Sequence, residues 1–291
     1  MSLIRLHLPP GFSFDAVVRS HGWYDLPPFV YDREDGLLRT VVEVHSRAAR
    51  LEFRVRGEKL EAKGGDLDNS DLRVIARRVF SLDVDLSAAE RSFAGIPVLA
   101  RALGERGGRM LRAPTLFEDA VKMLFTTNCS WAATRGMVTR LIALAGADGV
   151  AFPTAESVAG VSTASIGKRV RCGYRAEALR LFARRVVSGE LALAPWEDPA
   201  RPSEEVRAAI LRERGFGPYA SEGLLRILGR HDFFALDSWT RQQFRRIYPG
   251  RASTTDRAIA RRYGRFGAHR GLALWLDMTR GWHEENPPTW P

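Results

Sequence analysis

The most constraining stretch of this chain is residues 203–239, where two short helical patterns are joined by a glycine-rich corner. The corner reads Gly215-Phe216-Gly217, and Pro218 suits the first position of the second helix. Because glycine permits close backbone approach and unusual dihedral angles, the pattern predicts two helices that meet in a hairpin. Backbone amides of such a hairpin, with the N-terminus of its second helix, can hold a phosphate without reading sequence.

An aspartate, Asp237, follows this hairpin after a short apolar segment. Asp237 lies eighteen residues after Tyr219 (237 − 219), and the apolar run of residues 233–236 before it predicts a strand-like approach. One interpretation of Asp237 is a cap for the helix that starts at Ser238 or Trp239. The other is a catalytic carboxylate that stabilises positive charge or activates water. Both are compatible.

The hairpin, the apolar approach and Asp237 together resemble the signature of the helix-hairpin-helix DNA glycosylases. The closest branch is the one that acts on alkylated purines and 8-oxoguanine. Further similarity lies in residues 117–141, 172–176 and 266–273, so that the resemblance covers about residues 80–285. It implies an enzyme of base-excision repair that hydrolyses the N-glycosidic bond of a flipped, damaged base, with Asp237 as its catalytic residue.

The pattern along the chain predicts an α+β fold. Residues 51–56 alternate apolar and polar side chains with period two, which indicates a half-buried strand. From about residue 86 the periodicity is helical. The expected division is an N-terminal small antiparallel β-sheet domain (1–85) and a region of two mainly α-helical subdomains (86–291), with a six-helix core at about 114–230 and flanking helices 86–113 and 238–285 forming the other wall of a cleft.

Charge and resemblance together identify double-stranded DNA with a damaged base as the expected partner. The net charge is +10, which indicates an anionic partner, although a codon preference for arginine accounts for the excess equally well. By the resemblance, Asn128 (or its neighbour Cys129) and Tyr174 are candidates to fill the gap left by the flipped nucleotide. Arg175 is the candidate for contacting the orphaned partner base. The hairpin residues expected to hold the backbone are Gly215, Phe216, Gly217 and Pro218.

The lysines bear on the mechanism. Bifunctional members of the resembling family attack with a lysine amine, two residues after the second hairpin glycine, and then nick the strand. Tyr219 occupies that position here, and no lysine follows Lys168. We therefore expect a monofunctional enzyme that uses water and has no efficient lyase activity. Lys122 and Lys168 are expected at the surface or at phosphates.

The damaged base is less constrained by the sequence. An aromatic residue at the Tyr219 position can stack on an electron-poor alkylated purine, which makes that class the first expectation. The glutamine and phenylalanine that read 8-oxoguanine in the family align with Leu274 and Met278. The expected base pocket consists of Tyr219, Met278, Trp131 and Trp239, with a core role open for both tryptophans. Alternatives are an 8-oxoguanine or uracil/thymine mismatch glycosylase, a non-catalytic hairpin DNA-binding protein, and a nucleotide-binding enzyme.

Several classes of protein are disfavoured by composition. Two cysteines cannot form a four-cysteine iron–sulfur cluster or zinc site, and the six histidines show no ligand spacing, so neither metal nor cofactor is expected. The resemblance allows one exception, a monovalent cation held by backbone carbonyls of the hairpin. No apolar run has the roughly 18 residues that span a membrane, and the first residues do not read as a signal peptide. The expectation is a cytoplasmic monomer without a membrane partner.

Overall fold

The predicted α+β class is confirmed by the computed structural model, which describes residues 2–250 and 255–281. A five-stranded antiparallel sheet comes first, in the order β1-β5-β4-β3-β2, and helices follow it. The strands are β1 (Ser2–His7), β2 (Val30–Asp32), β3 (Leu37–Val44), β4 (Arg47–Arg56) and β5 (Lys59–Gly64).

The sheet is built by the alternation that the sequence shows. On β4, Leu51 and Phe53 are fully buried on the inner face. The opposite face carries charge, where Glu61 of β5 accepts hydrogen bonds from Arg5 at 3.1 Å and from Arg54 at 2.9 Å. One face of the sheet therefore supplies apolar surface to the core, and the other is closed by ion pairs.

The rest of the described chain is mostly helical, and loops and short 3₁₀ segments connect its α-helices. They are α1 (Phe14–Val18), α2 (Asn69–Val79), α3 (Ser87–Phe93), α4 (Pro97–Arg106), α5 (Leu116–Phe125), α6 (Trp131–Ala145), α7 (Ala155–Gly160), α8 (Thr163–Val170), α9 (Arg175–Val187), α10 (Ala194–Glu197), α11 (Ser203–Leu211), α12 (Pro218–Ile227), α13 (Ser238–Ile247), α14 (Asp256–Tyr263) and α15 (Arg270–Met278). Among the described residues, none of these helices is long and apolar enough to cross a membrane.

Two hydrophobic cores organise these elements. The first joins the sheet and α2 to the helices α5–α9, α11 and α12, as in the contact of Phe53 with Phe80 at 5.3 Å between ring centroids. The second joins α3 and α4 to α13, α14 and α15, where Phe93 meets Phe266 at 5.3 Å. The domain boundaries expected from the sequence stay predictions, and the sheet shares its core with helices beyond residue 85.

Two local expectations are wrong. Residues 233–236 do not form a strand but bends and loop, in which Ala235 is buried with φ +49°. Lys122 is not a surface residue, because α5 is buried on all sides. Its Nζ lies 2.6 Å from the Glu118 carboxylate and 4.8 Å from the centroid of the Phe29 ring. A buried charge needs such a partner, and Glu118 supplies it.

Candidate active site

A cavity of about 630 Å³ lies between the two cores, within the size range of small-molecule sites. Five of the predicted site residues line it, namely Asp237, Tyr219, Trp131, Trp239 and Asn128. Arg226, His21 and Trp275 line the same cavity, although none of them is among the residues predicted from the sequence. The structure thus brings together side chains from both cores and from both ends of the chain.

Asp237 is held at the start of α13. It is the N-cap residue, and its Oδ1 accepts a hydrogen bond from the Thr240 amide at 2.7 Å. The positive end of the helix dipole therefore faces the carboxylate. Asp237 therefore both caps α13 and lines the cavity, and the two interpretations drawn from the sequence are compatible. The hydrogen bond fixes the carboxylate within the cavity.

The loop before Asp237 is positioned by Glu222 on α12, a residue that the sequence analysis missed. One carboxylate oxygen of Glu222 accepts from the amide of Ala235 at 3.0 Å. The other accepts from Arg207 of α11 at 3.0 and 2.8 Å. Asp237 lies two residues after Ala235. The Glu222–Arg207 ion pair between α12 and α11 therefore helps to fix the position of the Asp237 carboxylate.

One face of α12 forms a wall of the cavity. Tyr219, Gly223, Arg226 and Ile227 all line it, and their spacing of i, i+4, i+7 and i+8 places them on one side of a helix. Gly223 lies close to Met123, since a Cβ there would be 2.9 Å from Met123 Cε. Reading this spacing from Tyr219 would have identified Arg226.

Tyr219 presents a protonated phenol to the cavity. Burial and the negative charge of Asp237 raise the pKa of Tyr219, which disfavours the phenolate. Its side chain lies between the hairpin groove and the cavity and lines both. A neutral aromatic ring, rather than a lysine amine, therefore stands at the position beside the catalytic candidate.

Both tryptophans left open by the sequence line the cavity. The Trp131 indole donates to Asp25 Oδ2 at 2.7 Å, and its ring fills the space above Gly22, where a Cβ would lie 2.3 Å from Trp131 Cη2. Trp239 packs against Trp275 with ring centroids 5.9 Å apart. These rings, with Tyr219, give the cavity aromatic walls.

Met278 is placed elsewhere, and its predicted role in the base pocket is wrong. It is 3% exposed and belongs to the second core. Leu274, four residues earlier, lies on the same side of α15 and packs into the same core. Trp275 lines the cavity from this helix instead.

The turn between α5 and α6 carries the residues predicted to probe DNA. Asn128 is exposed with φ +47°, and its Nδ2 lies 3.4 Å from the Tyr174 hydroxyl. Tyr174 is 60% exposed at the start of α9. The two candidates for filling the gap in a duplex are therefore neighbours; Asn128 lines both the cavity and the hairpin groove, and Tyr174 lines the groove.

Arg175 does not reach the surface, which contradicts its predicted contact with a partner base. Only 6% of it is exposed. Its guanidinium donates to the Thr127 hydroxyl at 3.1 Å, to the Thr127 carbonyl, and to the Cys172 carbonyl at 3.4 Å, and it lies 4.5 Å from the Tyr174 ring centroid. These bonds join the start of α9 to the α5–α6 turn, so Arg175 positions Asn128 and Tyr174.

The predicted helix hairpin is confirmed as the link between α11 and α12. Gly215 has φ +90°, and a Cβ there would lie 2.7 Å from Leu124 and 3.1 Å from Ala178. Phe216 is buried, with its ring 5.4 Å from that of Phe182. Pro218 begins α12. Residues 211–220 line a groove on this side of the hairpin, and Asn128 and Tyr174 line it as well.

Metal binding by side chains has no support in the described part of the chain. It contains no group of three or more His, Cys, Asp or Glu residues that could hold a metal ion. The monovalent cation at the hairpin carbonyls stays a prediction.

Comparisons with known proteins agree with this geometry. No family model and no curated protein matches the sequence. Among solved structures, the 8-oxoguanine glycosylase/lyase of Clostridium acetobutylicum matches with a TM-score of 0.72 and 17% identity, over 96% of each chain. Its complex with double-stranded DNA containing cytosine opposite 8-oxoguanine matches with a TM-score of 0.70 and 17% identity, over 94% of this chain and 93% of that one.

A glycosylase with a different substrate in its name has a similar fold. The 3-methyladenine DNA glycosylase of Archaeoglobus fulgidus matches with a TM-score of 0.72 and 20% identity, over 96% of this chain and 98% of that one. At these identities the likeness is one of fold. The chain therefore has the fold of the helix-hairpin-helix DNA glycosylases along nearly its whole length.

Proposed function

We propose that this protein is a DNA glycosylase of base-excision repair that hydrolyses the N-glycosidic bond of a flipped base, with Asp237 as its catalytic carboxylate. The observation that carries the proposal is the position of Asp237. It lies in an aromatic-walled cavity, directly beside a helix hairpin suited to a DNA backbone. A phosphate clamp alone would not need a carboxylate in a base-sized cavity.

The geometry suits extrusion of a nucleotide. A base inside a duplex is unreachable, and flipping it costs a few kcal/mol. The first-turn amides of α12 have no partner within the helix and suit a phosphate, while Asn128 and Tyr174, which line the adjoining hairpin groove, suit the vacated space. The extruded base then lies between the rings of Tyr219, Trp131 and Trp239.

Asp237 performs the chemical step in this proposal. Cleavage of the N-glycosidic bond builds positive charge on the sugar, and a carboxylate beside it stabilises that charge. It also accepts a proton from the water that attacks C1′. The cap on α13 holds the carboxylate for both tasks.

The same proposal excludes an efficient lyase step. A Schiff base requires a free amine near C1′, and Tyr219 stands where that amine would be. Lys122 is fully buried and paired with Glu118. The product is therefore an abasic site in an intact strand.

The base itself stays a prediction. The aromatic walls support an alkylated purine through stacking, as expected from Tyr219. Stacking does not discriminate strongly between bases, because every base has a π face. The same rings can therefore also stack on 8-oxoguanine or on mismatched uracil or thymine. The choice among them depends on the polar groups of the cavity.

The test is base release from duplexes that carry randomly methylated bases, uracil, hypoxanthine or 8-oxoguanine. Released bases are identified by mass spectrometry, and strand breaks are measured before and after alkali. We expect one class of base to be released, strand breaks only after alkali, and no release by Asp237→Asn. Binding without release from every duplex would instead identify a non-catalytic DNA-binding protein, and borohydride trapping of an enzyme–DNA adduct would contradict the monofunctional mechanism.

A further inference from the structure

The inner part of the cavity holds a cation with unused hydrogen-bonding capacity. The Arg226 guanidinium lies 4.2 Å from the centroid of the Trp275 ring. Its Nη1 is buried and has no hydrogen-bond partner in the described structure. A buried donor of this kind costs stability unless something accepts from it. Nothing in the proposed mechanism so far uses Arg226.

A second unused polar atom belongs to His21, which lines the same cavity. Its Nδ1 lies 3.1 Å from the Ser20 hydroxyl, while its buried Nε2 has no partner among the described residues. The Ser20 oxygen accepts from the Leu111 amide at 2.9 Å and can give its own proton to Nδ1, and in that arrangement the ring hydrogen of His21 lies on Nε2. Burial, then the charges of Arg226 and Lys122, lower the pKa of His21 to about 3, so the ring is neutral.

These groups match the charges that develop when a glycosidic bond breaks. Positive charge grows on the sugar, and Asp237 is negative. The electron pair of the broken bond goes to the base, and Arg226 is positive. A cation in the base cavity favours a base that departs as an anion and repels one that is cationic before cleavage, as many N-alkylated purines are.

We infer that Arg226, assisted by His21, selects a neutral base with an exocyclic carbonyl oxygen, such as an oxidised or deaminated base, and stabilises it as the leaving anion. The inference rests on the proposed glycosylase function and replaces the alkylated purine as its substrate class. In the step, water oxygen bonds to C1′, the C1′–N bond breaks with its electron pair on the base, and one water proton passes to Asp237. The base anion, held by Arg226, takes a proton on release.

The experiment measures single-turnover base release for the wild type and three variants on the same panel of duplexes. Arg226→Met removes the charge but keeps an apolar chain against Trp275, and Arg226→Lys keeps the charge. Arg73→Met on α2, where the side chain is exposed, is the matched control. We expect the wild type and the control to release a carbonyl-bearing base in preference to alkylated purines. Arg226→Met should slow that release about 10²-fold, as loss of one oxyanion donor does, and Arg226→Lys should restore part of the rate.

A merely structural role predicts a different pattern, with release of every base slowed alike and no rescue by lysine. That result overturns the inference, as does a wild type that releases only alkylated purines. Both leave the glycosylase proposal standing. Failure of the wild type to release any base from the panel overturns the glycosylase proposal itself, so the two failures are distinguishable.

Discussion

The two ends of α12 (Pro218–Ile227) are built on different principles. At its N-terminal end, the hairpin depends on backbone conformation, and Gly215 leaves no room for a Cβ. At its C-terminal end, Arg226 contributes a charged side chain to the cavity, which Trp275 and His21 also line. The hairpin end suits a repeating backbone, which is the same for every nucleotide, and the face of the helix from Tyr219 to Arg226 suits a base.

Substitutions at the two ends should therefore change different properties of the protein. Changes at the hairpin should weaken the fold and the grip on any duplex, because phosphates carry no sequence information. Changes at the cavity end should leave the grip intact and alter the chemistry. Substitutions at the hairpin, in the cavity, and at Glu222, which holds the loop before Asp237, test whether the two effects are separable.

The largest effect is expected for Asp237→Asn. Asparagine caps a helix as well as aspartate does, so α13 and the fold are retained. The charge that stabilises the sugar is lost, and we expect the single-turnover rate constant of base release to fall about 10³-fold at unchanged Kd for the duplex. Asp237→Ala serves as the companion variant and should additionally lose about 1 kcal/mol of unfolding free energy. An equal loss of DNA affinity in Asp237→Asn would break the separation of the two ends.

Gly215→Ala tests the hairpin end. The new Cβ meets Leu124 and Ala178 at a φ that L-residues rarely adopt, so we expect a loss of about 3 kcal/mol of unfolding free energy in urea. Gly217→Ala is the matched control, since Gly217 has φ −81° and a Cβ added there would have no neighbouring atom within 4 Å. Similar destabilisation by the two variants would show that crowding at Gly215 is not what constrains the hairpin.

The buried histidines near the C-terminal end of α12 predict a pH dependence. Burial lowers the pKa of both His21 and His231 to about 3, whereas the unfolded chain protonates them near 6.5. Between these values the unfolded state binds more protons, so stability falls as pH is lowered from 6.5, by up to about 1.4 kcal/mol per pH unit for each histidine. His231→Phe should flatten the slope of unfolding free energy between pH 6.5 and 5. A slope unchanged from the wild type would mean that His231 is not held neutral.

The smallest effect is expected for Glu222→Gln. The amide keeps an acceptor for Ala235 but loses the charge-assisted pair with Arg207, so the loop that delivers Asp237 loosens. We expect about a tenfold lower rate constant at unchanged Kd for the duplex, because small displacements of a catalytic group are costly. A matching change in Kd would assign Glu222 to the hairpin rather than to the position of Asp237.

The sequence predicts the local features of this protein better than it predicts the contacts between residues far apart in the chain. The hairpin and the capping position of Asp237 are local patterns, and the sheet follows from the alternation in β4, so each can be predicted without the fold. The inner cavity joins residues far apart in sequence, such as Trp275, whose indole donates to the Ser20 carbonyl across 255 positions. The predictions for Arg175, made from the resemblance, and for Lys122, made from its charge, are wrong because both side chains are buried beside partners that only the packing reveals.

The helix between the two ends has a fixed length. Ten residues at 1.5 Å each make a rod of about 15 Å, which cannot stretch. Inserting a single residue would turn Arg226 by about 100° around the axis and out of the cavity. The length of this helix therefore fixes the distance between the bound phosphate and the bound base. Insertions or deletions between Pro218 and Arg226 should be far less tolerated than substitutions.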